Sequence, residues 1–118
     1  MKKILLSFCA VILLSVSAFG ATMGEKNALA SAKQYLSVMG FSYSGLMNQL
    51  ETFDEYSHEE AKYAVDNCGA NWKEQAARSA KNYLSVMAFS RKGLIEQLVN
   101  FDGYTREEAE YGVKQNGY

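Results

Sequence analysis

A run of residues, Ala28-Leu-Ala-Ser-Ala-Lys-Gln-Tyr-Leu-Ser-Val-Met39, returns 48 positions later as Ala76-Ala-Arg-Ser-Ala-Lys-Asn-Tyr-Leu-Ser-Val-Met87. The match continues through Phe41-Ser42 and Phe89-Ser90, Gly45-Leu46 and Gly93-Leu94, Gln49-Leu50 and Gln97-Leu98. It goes on through Tyr56 and Tyr104 and closes at Gly69 and Gly117. About 24 of 42 aligned positions are identical, far more than shared composition would give. Whatever one copy folds into, the other must fold into as well, so the chain is a duplicated module.

Each copy divides into three helices. Leu29, Ala32, Leu36 and Met39 recur at helical spacing, as do Ala77, Ala80, Leu84 and Met87, so each set predicts one inward stripe. Asn71 with Glu74 reads as a capping box that opens the first helix of copy two, and Thr22 with Glu25 offers a start to copy one displaced by one residue. Ser42 and Ser90 suit the N-cap of a second helix that runs through Leu46, Leu50 and Phe53 or their counterparts Leu94, Leu98 and Phe101. Gly45 and Gly93 in its first turn suggest close approach to another helix, or a poorly formed turn. Ser57 with Glu60 and Thr105 with Glu108 are capping boxes for a third helix, which makes Glu59, Glu60, Glu107 and Glu108 structural acids. Its inner face is Ala61, Ala64 and Val65, or Ala109, Gly112 and Val113. The chain contains no proline, in keeping with an all-α fold. A module of this size buries little apolar surface by itself, so the two copies are expected to pack together. Residues that break the repeat, Trp72, Tyr43 against Arg91, and Tyr118, are expected at that seam.

Before the repeats, Met1-Lys2-Lys3 is followed by the apolar run Ile4–Val16 and then by Ser17-Ala18-Phe19-Gly20. That order is a secretory signal peptide with cleavage after Gly20, and an uncleaved anchor is the rival reading. The expected division is residues 1–20 as signal peptide, 21–70 as the first repeat and 71–118 as the second. Cys9 lies within the apolar run and does not form a lipobox. Cys68 is then the sole cysteine of the mature part, read as a small buried residue at a helix end, with intermolecular pairing as the alternative.

No catalytic constellation is visible. The single histidine, His58, has Arg106 as its repeat counterpart, and no set of metal ligands, catalytic motif or phosphate-binding loop is present. The chain is therefore read as a binding module and not an enzyme, with no cofactor and no metal. Helices two and three join by a short turn, as in a DNA-binding helix-turn-helix. However, residues 25–70 carry three basic and seven acidic side chains, which repels a polyanion, and export separates the protein from the chromosome. Residues 71–118 carry seven basic and six acidic side chains, with Arg78, Lys81, Arg91 and Lys92 making copy two locally basic. Tyr43, Trp72, Arg91 and Lys92 are the candidate interaction residues. For Trp72 the plainer role is a plug between repeats.

The run Ser-Ala-Lys-x-Tyr-Leu-x-x-Met-x-Phe-Ser-x-x-Gly-Leu-x-x-Gln-Leu, followed by Phe-Asp-x-Tyr-Ser/Thr-x-Glu-Glu-Ala-x-Tyr-x-Val, occurs in both copies. It resembles the Ltp family, host cell surface-exposed lipoproteins with tandem helix-turn-helix-like repeats, over about residues 24–118. The resemblance implies two tandem three-helix repeats and a link to prophages and superinfection exclusion, in which a surface-displayed protein stops incoming phage DNA from entering the cell. It implies a protein partner in the DNA-injection machinery. A housekeeping protein of the envelope that binds cell-wall polymer or another surface protein is the alternative. Lipoproteins of the family carry a cysteine at the cleavage site, and Gly20-Ala21 has none. Release, retention in a periplasm-like space, or membrane association through an uncleaved signal segment are the options that remain. A second departure is Glu55 where copy two has Gly103: if that turn needs a left-handed residue, copy one is strained there or turns differently.

Overall fold

The protein is described by a computed structural model covering residues 20–118, so the expected leader lies outside the described residues except for Gly20. The first repeat consists of α1 (Met23–Val38), α2 (Tyr43–Asn48) and α3 (His58–Asn67), and the second of α4 (Trp72–Val86), α5 (Arg91–Glu96) and α6 (Arg106–Gln115). The described residues contain no strand, and the chain is all-α with two tandem three-helix repeats.

The polar residues at the helix starts act as their spacing requires. Thr22, Ser57 and Thr105 each accept from the backbone three residues on, and Glu25, Glu60 and Glu108 reach back to close three full capping boxes. Asn71 also caps α4, taking Lys73 N–H and Glu74 N–H at 3.1 and 3.2 Å. Glu74 does not close that box as expected. Its Oε1 accepts instead from the Tyr111 hydroxyl of α6, at 2.6 Å. Ser42 and Ser90 accept from Gly45 N–H and Gly93 N–H at 2.9 Å. Both glycines serve the cap: a Cβ on either would come within 2.9 or 3.0 Å of its own capping serine Oγ, and only at Gly45 is the expected close approach also present, with the Asp102 carbonyl oxygen of the second repeat 3.3 Å from that position.

Within each repeat the first and third helices pack most closely, α1 on α3 and α4 on α6. Small residues line both crossings: Ala28 and Ala32 face Ala61 and Ala64, while Ala76 and Ala80 face Ala109 and Gly112. At Gly112 the approach is tight enough that an added Cβ would lie 2.7–2.9 Å from the backbone of Ala76 and Ala77. The second helix closes each core from the side with Leu46 and Leu50 or Leu94 and Leu98, all fully buried. Tyrosine hydroxyls that enter these cores are satisfied: Tyr104 pairs with Ser79 at 2.7 Å, and Tyr56 with Ser31 at 3.0 Å.

The expected inner faces hold only in part. Met39 and Met87 are 46% and 59% exposed, and Phe53 and Phe101 are 67% and 80% exposed. Two geometric reasons account for this. Helices α1 and α4 have 16 and 15 residues against 10 in α3 and α6, so at 1.5 Å per residue their last turn outruns its partner. The second helix of each repeat also widens into a π-helical turn, over Gln49–Phe53 and Gln97–Phe101. A π-turn takes an extra residue to come round, so the phenylalanines stop short of the face that Leu50 and Leu98 occupy.

Each π-turn closes through a left-handed residue, Glu55 at φ 63° and Gly103 at φ 81°. The strain expected at Glu55 is therefore present. A non-glycine residue there costs about 1–2 kcal/mol.

The two repeats keep separate apolar cores and meet through a mostly polar seam. Ser42 donates to the carbonyl of Asp102, and Ser44 donates to that of Gly103 at 3.0 Å. Arg78 of α4 reaches the Leu36 carbonyl in the last turn of α1 at 2.6 Å, a cation at a helix C-terminus with no basic residue of its own. Trp72 joins the core of repeat 1, edge-on to Tyr43 with centroids 5.5 Å apart. The expected plug is thus in place. Tyr118 is not at the seam: its hydroxyl donates to the Phe89 carbonyl within repeat 2.

Replacing Glu55 with glycine relieves the left-handed strain but adds freedom to the unfolded chain, leaving a net gain of about 1 kcal/mol. The thermal midpoint should rise by about 4–8 °C, and an unchanged or lower midpoint would show that the turn is not strained. Tyr104 supplies a pH test. Burial is the main cause that raises its phenol above the ordinary value of 10.0, against a lowering by the Ser79 hydrogen bond. Its contribution is thus whole below pH 10 and is lost as pH climbs toward the folded value. Tyr104→Phe should cost about 1 kcal/mol at neutral pH. Urea denaturation should show that deficit shrinking by about pH 11; a constant deficit counts against the assignment.

Candidate functional site

The sharp exit of the first helix shapes the main concavity. Met39 leaves α1 in an extended conformation, its N–H still bonded to the Tyr35 carbonyl, and Met87 leaves α4 in the same way. Phe41 and Phe89 then fold back edge-on against Tyr35 and Tyr83, with ring centroids 5.7 Å apart in each repeat. Where the repeats meet, Met39, Phe41 and Gln49 of the first face Tyr83, Val86 and Phe101 of the second across a groove of about 510 Å³. Its polar lining includes the seam residues Ser42 and Asp102.

A tyrosine network fixes each π-turn to the long helix. The Tyr83 hydroxyl donates to Asp102 Oδ1 at 2.6 Å and accepts from Gln97 Nε2 at 3.2 Å. In repeat 1, Tyr35 donates to both oxygens of Asp54, at 2.7 and 2.8 Å, and accepts from Gln49 at 3.2 Å. The seam makes the two networks unequal. Asp54 is exposed, whereas burial raises the Asp102 carboxyl above the usual carboxylate range against the opposing bond from Tyr83. Burial, then the adjacent Asp102, raises the Tyr83 phenol. These groups hold architecture together. They do not set a nucleophile beside a base, and what the groove offers a partner is apolar contact around a few fixed hydrogen-bonding groups.

The apolar rim is the feature that sequence reasoning missed. Val38, Met39 and Phe53 in repeat 1 match Val86, Met87 and Phe101 in repeat 2, and all six are exposed. Helical spacing placed the methionines on the stripe of the buried alanines and ran the second helix through the phenylalanines with no sign of their exposure. The available signal was the mismatch in helix length between the long stripe and the short capped third helix. Single exposed apolar residues are ordinary; here the same set is presented once by each repeat.

Of the four residues singled out from the sequence, the structure unites two. Tyr43 and Trp72 pack together, and the Tyr43 hydroxyl donates to Asp66 at 2.7 Å. The Lys62 ammonium first, and Tyr43 second, hold that carboxyl below its ordinary value. Arg91 and Lys92 stand apart on the exposed first turn of α5. Arg78 belongs to the seam and not to a free basic patch. His58 is exposed and meets Glu51 at 3.3 Å. Cys68 packs against the core of repeat 1 and its thiol points to the Val65 carbonyl, at 3.3 Å. Among the described residues no group of three or more His, Cys, Asp and Glu is placed to hold a metal ion, and no helix is long and apolar enough to cross a membrane.

Comparison with known proteins covers both repeats. The family described as host cell surface-exposed lipoprotein matches residues 24–68 and again residues 71–115. A solved structure, that of Ltp, a superinfection exclusion protein from the Streptococcus thermophilus temperate phage TP-J34, is 38% identical to this chain with a TM-score of 0.76. The match covers 80% of this chain and 96% of that one. No curated protein gives a significant match. With the repeat unit found twice and the fold shared across both copies, the chain belongs to the host cell surface-exposed lipoprotein family.

Proposed function

We propose that this protein is an exported superinfection exclusion protein, which binds a protein of the DNA-injection machinery of an incoming phage and stops its DNA from reaching the cytoplasm. The observation that carries the reading is the likeness, over both repeats, to the phage TP-J34 superinfection exclusion protein. The physical character of the surface supports it. Exposed apolar rims and a groove at the seam suit recognition of a protein. The contact surface in this reading is the groove rim, Met39, Val86 and Phe101. Arg91 and Lys92 are free to meet acidic groups of the partner, while Tyr43 and Trp72 act through the fold.

Placement follows the sequence. The leader directs export and is removed after Gly20, leaving residues 21–70 and 71–118 as the two repeats. The cleavage site lacks the cysteine that would carry a lipid, which leaves release, retention in a periplasm-like space or an uncleaved signal segment as the routes to the envelope.

Expression in a phage-sensitive host tests the reading when adsorption and DNA injection are scored separately. Adsorption should be normal and injection blocked for at least one phage. Val86→Asp with Phe101→Asp should relieve the block by about tenfold or more, because charges on exposed rim positions spoil an apolar contact while leaving the cores intact. Unhindered injection for every phage tried overturns the reading and favours an envelope-binding role.

A further inference from the structure

The seam joins unlike surfaces. Repeat 1 contributes the end of α1 and the start of α2, and repeat 2 contributes α4 and the Asp102–Gly103 turn. Since the repeats share a fold, each also carries the counterpart of the other's surface, unused. Among the described residues, the entrance to α5 around Ala88, Ser90 and Lys92 in repeat 2 is exposed, as are the α1 flank at Asn27 and Ala30 and the Asp54–Glu55 turn in repeat 1. A contact of this heterologous kind propagates: the free end of one molecule would meet the opposite free end of the next.

Four positions at which the repeats differ coincide with this seam. We infer that Ala30, Glu55, Ala88 and Lys92 close the two free ends to a second copy of this chain, so that a fold built to stack head to tail stops at two repeats. Gly40, the counterpart of Ala88, is the clearest case. A Cβ there would lie 2.8 Å from the Gln75 carbonyl oxygen, 2.7 Å from Ser79 Oγ and 3.2 Å from Arg78 Cβ. Ala88 carries that Cβ, and the backbone opposite it in a second copy, at Asn27, cannot swing aside as a side chain could. At Gly103, the counterpart of Glu55, a Cβ would overlap Ser44 Oγ. In the intermolecular contact both partners are larger, Glu55 against Lys92. The cap that Arg78 provides to the Leu36 carbonyl has no equivalent, because Ala30 stands in its place.

Glu55 and Lys92 carry opposite charges and would attract across such a contact, so magnitudes decide. An exposed ion pair is screened by water and salt and contributes little, whereas overpacking forces side chains and backbone out of their favoured positions at a larger cost, and here it strikes at two places. Closure wins. It also has a purpose, since Val38 and Phe53 near one end and Met87 near the other are exposed and apolar. Without closure these would favour an open filament.

The inference is independent of the exclusion reading and is tested by mass, not by phage resistance. In sedimentation velocity the exported protein should run as a monomer over a hundredfold range of concentration. The variant Ala30→Arg, Glu55→Gly, Ala88→Gly, Lys92→Ser should form species of twice the monomer mass and above as concentration rises. A second experiment opens one end at a time: Ala88→Gly with Lys92→Ser in one protein, Ala30→Arg with Glu55→Gly in another. Each should be monomeric alone, and the two should pair one to one when mixed. The inference is overturned if the mixed proteins stay monomeric, or if the wild type self-associates and Lys92→Glu abolishes that association.

Discussion

Each repeat depends on one helix lying very close to another. Buried alanines let α1 pack closely on α3 and α4 on α6, and at Gly112 in the second copy backbone nearly meets backbone. Close approach without large side chains brings many small dispersion contacts into a short crossing. That matters in a module too small to bury much apolar area and without a disulfide among the described residues. The second helix then has one task, to cover the open side with two leucines.

The same economy produces the exposed surface. A short third helix cannot cover a long first one, so the last turn of α1 and of α4 extends past its support and presents valine and methionine to solvent. The π-turn adds phenylalanine to the same end, and the tyrosine, glutamine and aspartate network pins it there. Apolar groups held rigidly at the surface cost little ordering on binding, which suits recognition of a partner.

Duplication supplied two such ends, and the seam made them different. Asp102 is drawn into the groove while Asp54 stays in water, and Ser42 is buried while Ser90 is exposed. Identical residues thus occupy unequal environments because only one copy of each surface has a neighbour. Some of the differences in sequence between the repeats fall where that asymmetry is felt, at Gly40, Ser44, Arg78 and Gly103. The cost of Glu55 in a left-handed turn belongs to the same pattern, since the counterpart turn must accept a neighbour and the Glu55 turn must not.

Much of the fold was legible in the sequence because its signals are local. A serine, threonine or asparagine three residues ahead of its partner caps a helix wherever the chain sits, so the helix starts at Thr22, Ser42, Ser57, Asn71, Ser90 and Thr105 could be read in advance, as could the duplication. What lay beyond reach were relations between elements. The periodicity of Met39 or Phe53 states which helix face it shares, not whether another helix extends far enough to cover that face. No residue announces the π-turn that rotates Phe101 outward. The groove exists only where two repeats meet, and Arg78 became part of the seam because its guanidinium could reach a carbonyl 42 residues earlier. Local hydrogen bonding is encoded in neighbouring residues. Burial is a property of the assembled surfaces, and only the tertiary structure decided it.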